Sequence, residues 1–484
     1  MKTYYPTIGL EIHAELKTKT KMFCDSKNDP DETVPNVNVC PVCVGHPGTL
    51  PTINKQAVKH VLKFGVAVGG KLANFCEFDR KNYFYPDIPK GYQISQYKYP
   101  LVSGGELAGI KLTRVHLEED TGTSIHDRGD HTLLDFNRAG LPLMELVTEP
   151  VMHSAKEAGD FARELRLLLR VLDVAEANME KGEMRVEANI SVKCDARSEK
   201  TENEEKEEEL GTKVEVKNLN SFRAVERAVE YEIKRQTEVL EKGEKVTQET
   251  RGWDENKGVT FSQRSKEEAR DYRYFPEPDL PKLFINEIPE FGEDNLRKEL
   301  PELPWQKRQR YKDDFGLNDE QTEFFVTNES FAEFFENTAK ELNDVQKVKI
   351  AANYIISDIA GLVKATSKPS GLPFSPLQFS LLVSMIFSAE ISSRGAKDIL
   401  AIMYKEGGDP RAIAKEKNLI QQSDESSVSK MAEEIISENP KVVSEYKAGK
   451  EASMQFLIGQ GMKKSKGSIN PEMLKKILVE ILKK

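Results

Sequence analysis

The feature that most constrains this chain is a change in hydrophobic periodicity near two proline-rich stretches. Up to about residue 285, short segments alternate apolar and polar residues between Gly, Pro and Asn, which is typical of antiparallel strands. The stretches FPEPDLP (275–281) and PELPW (301–305) then interrupt any regular element. Beyond them the apolar residues recur at helical spacing. The sequence therefore predicts two regions that are built differently.

This pattern predicts an α+β fold in which an antiparallel-sheet domain is followed by an all-α helical domain and a small α-helical tail domain. We place these domains at residues 1–292, 293–405 and 406–484. Two helices are expected within the first domain. One follows Ser154, which begins the S-x-x-E spacing of a capping box, and the other starts after Asn220.

Composition narrows the class of protein. The 484 residues are 38% hydrophobic and 31% charged, and no apolar run approaches the ~20 residues of a membrane-spanning helix. The N-terminal MKTYYPTIGLEIH enters a strand pattern and lacks the features of a secretory signal, so we expect a cytoplasmic protein without a membrane partner. The net charge of −10 argues against a surface that coats nucleic acid throughout.

Several predicted strands carry functional groups on their polar face. In IGLEIHAELK (8–17), alternation places apolar residues on one face and Glu11, His13 and Glu15 on the other. MRVEANISV (184–192) and TKVEVKN (212–218) follow the same design. A solvated sheet face explains any one such strand. Three strands together favour a polar cavity, and carboxylates beside an imidazole are suited to a divalent cation.

Two further segments extend this hypothesis. RVHLEEDTG (114–122) contains three adjacent acids, which indicate either an exposed acidic turn or a Mg²⁺ site. FDRKNYFYPDIPKGYQISQY (78–97) interleaves basic and aromatic residues, a composition suited to an oxyanion, a base or an RNA end. The alternative for this segment is an ordered loop whose tyrosines pack on the domain.

Cysteine spacing raises the question of a structural metal. Cys24, Cys40 and Cys43 are spaced C-x15-C-x2-C, and Cys76 is a candidate fourth ligand. Buried free thiols are the alternative. The sequence contains no Gly-rich phosphate loop of the P-loop or Rossmann type and no G-x-S-x-G elbow. Any nucleotide chemistry must therefore use another geometry.

Seven segments, in order along the chain, resemble the B subunits of the aspartyl/glutamyl-tRNA amidotransferases. They are IGLEIHAELKTKTKMFC, CPVCVGHPGTLP, DRKNYFYPDIPKGYQISQY, HLEEDTG, DFNRAGLPLMELVTEP, VEVKNLNSF and DYRYFPEPDLP. The resemblance implies a cradle domain that holds the active site, a helical domain and a tail domain of the YqeY type.

The resemblance also implies a reaction. ATP would phosphorylate the side-chain carboxylate of Glu-tRNA(Gln) or Asp-tRNA(Asn), and ammonia would then displace the phosphate. The ammonia would come from glutamine hydrolysed by a partner A subunit, with a small C subunit completing a heterotrimer. The alternatives are a non-catalytic tRNA-binding scaffold and an independent ligase that uses free ammonia.

Site residues follow from the resemblance and from side-chain chemistry. Glu11, His13 and Glu119 resemble the family's Mg²⁺ ligands, and we add Glu215. Alternation from His116 would place Glu118 on the histidine's face, so choosing Glu119 requires the strand to bulge or end there. We expect developing phosphate charge to be stabilised by Lys81, Arg185 and Lys217. Glu187 is the candidate for ordering water or ammonia.

Two expectations concern metal and tRNA. The family's usual C-x-C pattern is Cys24-Asp25-Ser26 here, so zinc binding depends on Cys76 or Asp25 completing the set of ligands. The segment 447–484 contains nine lysines and three glutamates, which suits contacts with tRNA phosphates. A solvated basic surface is the alternative. The candidate tRNA-binding residues are Lys447, Lys450, Lys463, Lys464 and Lys466.

Overall fold

The computed structural model describes residues 3–126, 129–195, 210–265, 272–366, 371–421, 425–465 and 469–483. The chain forms two compact units that divide between Pro304 and Trp305. Strands dominate the first unit and helices the second, so the predicted α+β class is confirmed. The domain boundaries after residues 292 and 405 stay predictions.

The first unit contains strands and helices with the following bounds. The strands are β1 (Thr3–Glu15), β2 (Lys71–Leu72), β3 (Phe75–Cys76), β4 (Asp79–Asn82), β5 (Tyr92–Ser95), β6 (Val102–Ser103), β7 (Glu106–Leu107), β8 (Ile110–Glu119), β9 (Thr123–Ile125), β10 (Leu133–Asp135), β11 (Pro142–Thr148), β12 (Met184–Asp195), β13 (Val214–Leu219), β14 (Glu249–Asp254), β15 (Val259–Ser265), β16 (Arg273–Pro276) and β17 (Leu283–Phe284). The α-helices are α1 (Lys55–Ala67), α2 (Ala155–Val171), α3 (Phe222–Glu241) and α4 (Glu293–Lys298).

A ten-stranded sheet organises this unit. Its strand order is β15-β14-β13-β12-β1-β11-β8-β6-β2, and β7 pairs with β8 outside that path. The β13–β14 pair is parallel, and the other pairs of this sheet are antiparallel. β1 lies at the centre between β11 and β12, which are more than a hundred residues away in sequence. Tertiary pairing therefore brings distant polar residues together.

One face of the central strands is apolar and packed. Ile12 of β1, Leu146 of β11 and Val186 of β12 are fully buried in one continuous core with residues of α1, α2 and α3. α1 and α3 contact strands of the sheet directly, and α2 packs on α3. Because side chains alternate along a strand, this packing leaves the opposite face free to form a polar cavity.

The two helices predicted in this region form as expected. Ser154 caps α2, since its hydroxyl accepts a hydrogen bond from the Glu157 amide at 3.2 Å. Ser221 caps α3 in the same way, by accepting from the Ala224 amide at 3.0 Å. α3 ends at Glu241, just before Gly243, whose φ of 77° suits glycine.

The second unit is helical in its described residues. Its α-helices are α5 (Pro304–Phe315), α6 (Asp319–Thr327), α7 (Glu329–Leu342), α8 (Val345–Tyr354), α9 (Ala360–Thr366), α10 (Pro376–Phe387), α11 (Ser393–Glu406), α12 (Pro410–Glu416), α13 (Glu425–Glu438), α14 (Pro440–Lys447), α15 (Ala452–Lys464) and α16 (Pro471–Lys483). The last four share a core that includes Leu457 and Leu478. Across the described ranges of both units, every helix is too short or too polar to span a bilayer.

Candidate active site on the polar face of the sheet

A row of ionisable residues crosses four neighbouring strands. His116 of β8 pairs in register with Glu145 of β11, and Glu145 pairs with His13 of β1. His13 in turn pairs with Arg185 of β12, and Glu11 pairs with Glu187. Paired residues in adjacent strands have neighbouring side chains on the same face of the sheet. The register thus assembles a site from segments that are far apart in sequence.

Glu145 and His13 are at the centre of this site. Glu145 Oε2 lies 3.3 Å from His116 Nε2 and 3.5 Å from His13 Nε2. His13 Nε2 also lies 3.5 Å from Glu118 Oε1 and 3.9 Å from Glu11 Oε1. The ligand atoms form two compact groups, Glu11–His13–Glu145 and His116–Glu118–Glu145, each within 4.8 Å. Carboxylate oxygens and imidazole nitrogens suit a divalent cation.

The electrostatics of the site favour positive charge. Burial and the nearby Glu145 carboxylate raise the pKa of Glu11 to about 7. Burial opposes protonation of His13, but the Glu145 hydrogen bond and the Glu118 carboxylate raise its pKa to about 9. The negative charge of the nearby carboxylates therefore favours a protonated His13 imidazole when no metal ion is close. This donor set fits Mg²⁺ or Mn²⁺.

Glu11 and Glu145 line a cavity of about 900 Å³ together with basic residues. Lys81 Nζ lies 4.0 Å from Glu118 Oε2, and Arg114 Nη2 lies 3.5 Å from Glu145 Oε1. Lys217 Nζ donates to Glu187 at 2.9 Å and lies 3.6 Å from Glu215. Although burial opposes its charge, Glu118 raises the pKa of Lys81, which is therefore protonated. A cavity with acids and fixed cations side by side suits a metal-bound phosphate.

Tyrosines form another part of the same cavity. Tyr97 and Tyr274 stack with ring centroids 4.4 Å apart, and Tyr83 contacts Tyr272 edge to face at 5.3 Å. The Lys81 ammonium lies 5.1 Å from the centre of the Tyr272 ring. Segment 78–97 therefore contributes both basic and aromatic side chains to one cavity, so aromatic rings lie close to its charged residues.

Glu119 does not belong to either of the two groups whose donor atoms suit a cation. Its carboxylate forms an ion pair with Lys90 and accepts the Ile94 amide at 2.8 Å. β8 ends at Glu119, as one of the two expected alternatives, but it keeps its register with β11 from Val115 to Glu119, so the Glu119 side chain lies on the face opposite His13. Strict alternation along the strand places Glu118 beside the histidine instead.

Of three other expected site residues, two line the cavity and one does not. Arg185 donates to Asp120 at 2.8 Å and does not line the cavity, because a buried carboxylate binds its guanidinium. Glu187 and Glu215 do line the cavity. Glu215, however, accepts a hydrogen bond from the Thr250 hydroxyl at 2.8 Å and, among the described residues, belongs to neither candidate cation group.

Sequence reasoning missed Glu145 and Arg114. Glu145 lies in PLMELVT (142–148), where buried Met144 and Leu146 alternate with it. Arg114 precedes His116 by two residues on β8, so both side chains lie on the same face of the sheet. The alternation of segment 8–17 also holds from Arg114 to Glu118, and it is the signal that could have found Arg114. Glu145 is a single acid in an otherwise apolar strand, flanked on its own face by Leu143 and Val147, so alternation gives no signal for it.

The cysteine group contains three members. The sulfurs of Cys24, Cys40 and Cys43 lie within 4.8 Å of one another, so this group is able to bind a metal. Hydrogen bonding from Cys24 is the main cause that lowers the pKa of Cys43 to about 4. The Ser26 hydroxyl is 3.9 Å from the Cys43 sulfur, at the edge of the group.

Cys76 does not complete this group. It lies in β3, paired with β17, and is fully buried in the apolar core. Burial raises the pKa of its thiol to about 12. Asp25 is also outside the cluster of ligand atoms that the described residues form.

The tail lysines differ in their ion pairs. Lys464 lies 2.8 Å from Glu434 and 2.7 Å from Glu438, and Lys450 lies 2.8 Å from Glu445. Lys447 and Lys463 are exposed on α14 and α15. Lys466 is outside the described residues.

The sequence matches known protein families over most of its length. Residues 6–288 match the family described as the GatB/GatE catalytic domain, and residues 333–482 match the GatB domain that carries the YqeY name. The chain belongs to this family.

Full-length relatives agree with that assignment. A Thermoanaerobacter pseudethanolicus protein, named as the B subunit of an aspartyl/glutamyl-tRNA(Asn/Gln) amidotransferase, is 43% identical over 99% of this chain and 100% of its own length. Proteins of the same name from Thermodesulfovibrio yellowstonii and Bdellovibrio bacteriovorus are 42% and 41% identical, each over 99% of both chains.

Proposed function

We propose that this chain is the component of a tRNA-dependent amidotransferase that activates and amidates the aminoacyl group. ATP phosphorylates the side-chain carboxylate of Glu-tRNA(Gln) or Asp-tRNA(Asn), and ammonia displaces the phosphate. A carboxylate resists attack by an amine, so the acyl phosphate supplies a leaving group. The proposal depends mainly on the group Glu11–His13–Glu145, of which Glu11 and Glu145 line the same cavity as Lys81 and Lys217.

Each group around the cavity has a defined role in this proposal. Glu11, His13 and Glu145 hold Mg²⁺, which when bound neutralises phosphate oxygens and orients the substrate carboxylate. Lys81 and Arg114 stabilise the charge that develops on the transferred phosphoryl group. Lys217 and Glu187, which bond to each other at 2.9 Å, position the attacking ammonia. The tyrosines bind the tRNA terminus or the nucleotide base by stacking.

Ammonia comes from a glutaminase A subunit, with a small C subunit completing the heterotrimer. Support comes from the names of the relatives, which make each of them one component of an amidotransferase, and from the sequence, which has no G-x-S-x-G nucleophile motif. Glutamine is then the ultimate amide donor, and mischarged tRNA is the shared substrate of the complex.

The test separates catalysis from a scaffold role. Purified complex is supplied with ammonium chloride, ATP, Mg²⁺ and mischarged tRNA, and amidated aminoacyl-tRNA is measured. Glu11→Ala and His13→Ala should abolish amidation, while Glu106→Ala, on an exposed strand end, serves as the matched control. Normal rates in both site variants would favour a non-catalytic tRNA-binding scaffold.

In this proposal the tail domain binds tRNA through contacts with its phosphates. Lys447 and Lys463 are exposed, whereas Lys450 and Lys464 have glutamate partners that compete with phosphate. Lys447→Glu with Lys463→Glu should therefore weaken tRNA binding and lower the slope of log affinity against log salt by roughly one per lysine. Glutamine hydrolysis by the complex should be unaffected. An unchanged salt slope would remove the tail from the tRNA interface.

The cysteine group is proposed as a structural zinc site with an incomplete set of protein ligands. Cys24, Cys40 and Cys43 supply three thiolates, and the Ser26 hydroxyl or water completes the tetrahedron. Metal analysis should find about one zinc per chain, which Cys43→Ser removes and Cys76→Ala retains. A zinc content near zero in the unmodified protein would eliminate this site.

A further inference from the structure

Lys21 is a fully buried lysine that lies apart from the cavity on the sheet. The residue is 0% exposed. Its Nζ donates to the Phe136 carbonyl at 3.1 Å and to Cys43 Sγ at 3.9 Å. Among the residues that the structure describes, no carboxylate forms an ion pair with this ammonium group. A buried charge is costly unless an opposite charge is close, so the anion must come from a group other than Asp or Glu.

The cysteine group supplies that anion. The sulfurs of Cys24, Cys40 and Cys43 lie within 4.8 Å of one another. The Cys40 amide donates to Cys43 Sγ at 3.0 Å, so an amide and an ammonium group both face this sulfur. Burial lowers the pKa of Lys21, and attraction to the three sulfurs opposes that shift. Both donors favour an anionic sulfur.

Backbone hydrogen bonds fix Lys21 beside the sulfurs. The Lys21 amide donates to the Ser26 carbonyl at 2.9 Å, and the Met22 amide donates to the Gly140 carbonyl at 2.8 Å. Gly140 has a φ of 85°, and a Cβ atom at this position would lie 3.5 Å from Cys43 Cβ and 3.6 Å from Lys21 Cδ. The turn that contains Lys21 is therefore held against the cysteine group from both sides.

We propose that Lys21 is the counter-charge of zinc-bound thiolates in the cysteine group. Three thiolates around one Zn²⁺ leave a net charge of −1, which a single ammonium group neutralises. Lys21 is then a positioning residue that raises the zinc affinity of a site with only three thiolates. This inference rests on the zinc site proposed above, because it requires metal at the cysteine group.

Zinc affinity tests the inference without measuring activity. Metal-free, reduced, full-length protein competes with a chromophoric chelator for Zn²⁺. Lys21→Met removes the charge but keeps the length of the side chain, and it should weaken zinc binding about 10- to 100-fold, as changes to outer-shell partners do. Lys19→Met, at an exposed position, is the matched control and should retain the unmodified affinity. Unchanged affinity in Lys21→Met would overturn the role of Lys21 but leave the zinc site standing. An unmodified protein that binds no zinc would remove both.

A second substitution separates the charge of Lys21 from its packing. Cys40→His replaces a thiolate with a neutral ligand, so the zinc group is neutral without the lysine. In that background Lys21→Met should have little effect on zinc affinity, which makes the two changes non-additive. Lys21→Gln, which keeps a donor for the Phe136 carbonyl, provides the same comparison should Lys21→Met fail to fold. An equal loss of affinity in both backgrounds would show that Lys21 acts through packing alone and would contradict the proposal.

Discussion

Glu145 and Leu146 are neighbours on β11, yet they belong to opposite environments. Leu146 is fully buried in the core that joins the sheet to its helices. Glu145 is almost as buried, but its neighbours are two histidines and Arg114 at 3.3–3.5 Å. The apolar face gains free energy by removing surface from water, whereas the polar face gathers acids that repel one another. The same sheet thus contributes stability through one face and, on the other, brings together donor atoms that suit a divalent cation.

The largest effect is expected from Glu145→Gln. This change removes the carboxylate shared by both donor groups while it keeps the shape of the side chain. Even changes to outer-shell partners of metal sites cost roughly 10- to 100-fold, so amidation should fall by at least about 100-fold. Rates with ammonium chloride as the donor measure this directly. A variant with near-normal rates would show that the polar face is only structural.

Leu146→Ala should give the reverse outcome. Truncating a fully buried leucine costs about 2–5 kcal/mol of unfolding free energy, through lost burial and the cavity that remains. Denaturant unfolding measures that loss. The rate per folded molecule should stay close to normal, because Leu146 faces the helices. A large loss of rate with normal stability would break the distinction between the two faces.

Glu118 and Glu119 offer the same comparison on β8. Glu118→Gln should lower Mn²⁺ affinity about tenfold, because its carboxylate faces His13 at 3.5 Å. Glu119→Gln should leave Mn²⁺ affinity within about twofold, since its carboxylate binds Lys90 on the other side of the strand. Calorimetric titration of both variants provides the measurement. If Glu119→Gln has the larger effect, the strand parity described above is incorrect in solution.

The smallest effect is expected at the outer surface of the packed helices. Lys156 and Asp160 form an exposed ion pair one turn apart on α2. Such pairs are worth about 0.3–0.5 kcal/mol, so Lys156→Ala should scarcely change the unfolding free energy. A loss above about 1 kcal/mol would mean that surface charge, and not only apolar burial, anchors the helices to the sheet.

Local pattern was sufficient for much of the fold. Alternation in residues 8–17 correctly predicted that Ile8, Leu10 and Ile12 are buried and that Glu11 and His13 share the other face. The capping box at Ser154 marked the start of α2. These features depend on neighbours within a few residues, so one sequence contains the whole signal.

Site membership was predicted less completely, because resemblance and pattern disagreed in places. The resemblance assigned Glu119, but unbroken register along β8 places Glu118 beside His13. Arg185 has the right strand and the right face, yet Asp120 binds its guanidinium. Cys76 has a plausible spacing but lies in the apolar core. Each of these outcomes depends on a partner more than twenty residues away in sequence.

The amino-acid sequence by itself determined which residues alternate, where helices begin and where the sheet-rich region gives way to helices. These properties follow from dihedral preferences and side-chain periodicity, which act over a few residues. Only the tertiary structure decided that β1 lies between β11 and β12, and hence that His13 meets Glu145. Pairing between distant strands is set by burying all the apolar faces at once, a condition that no single segment contains.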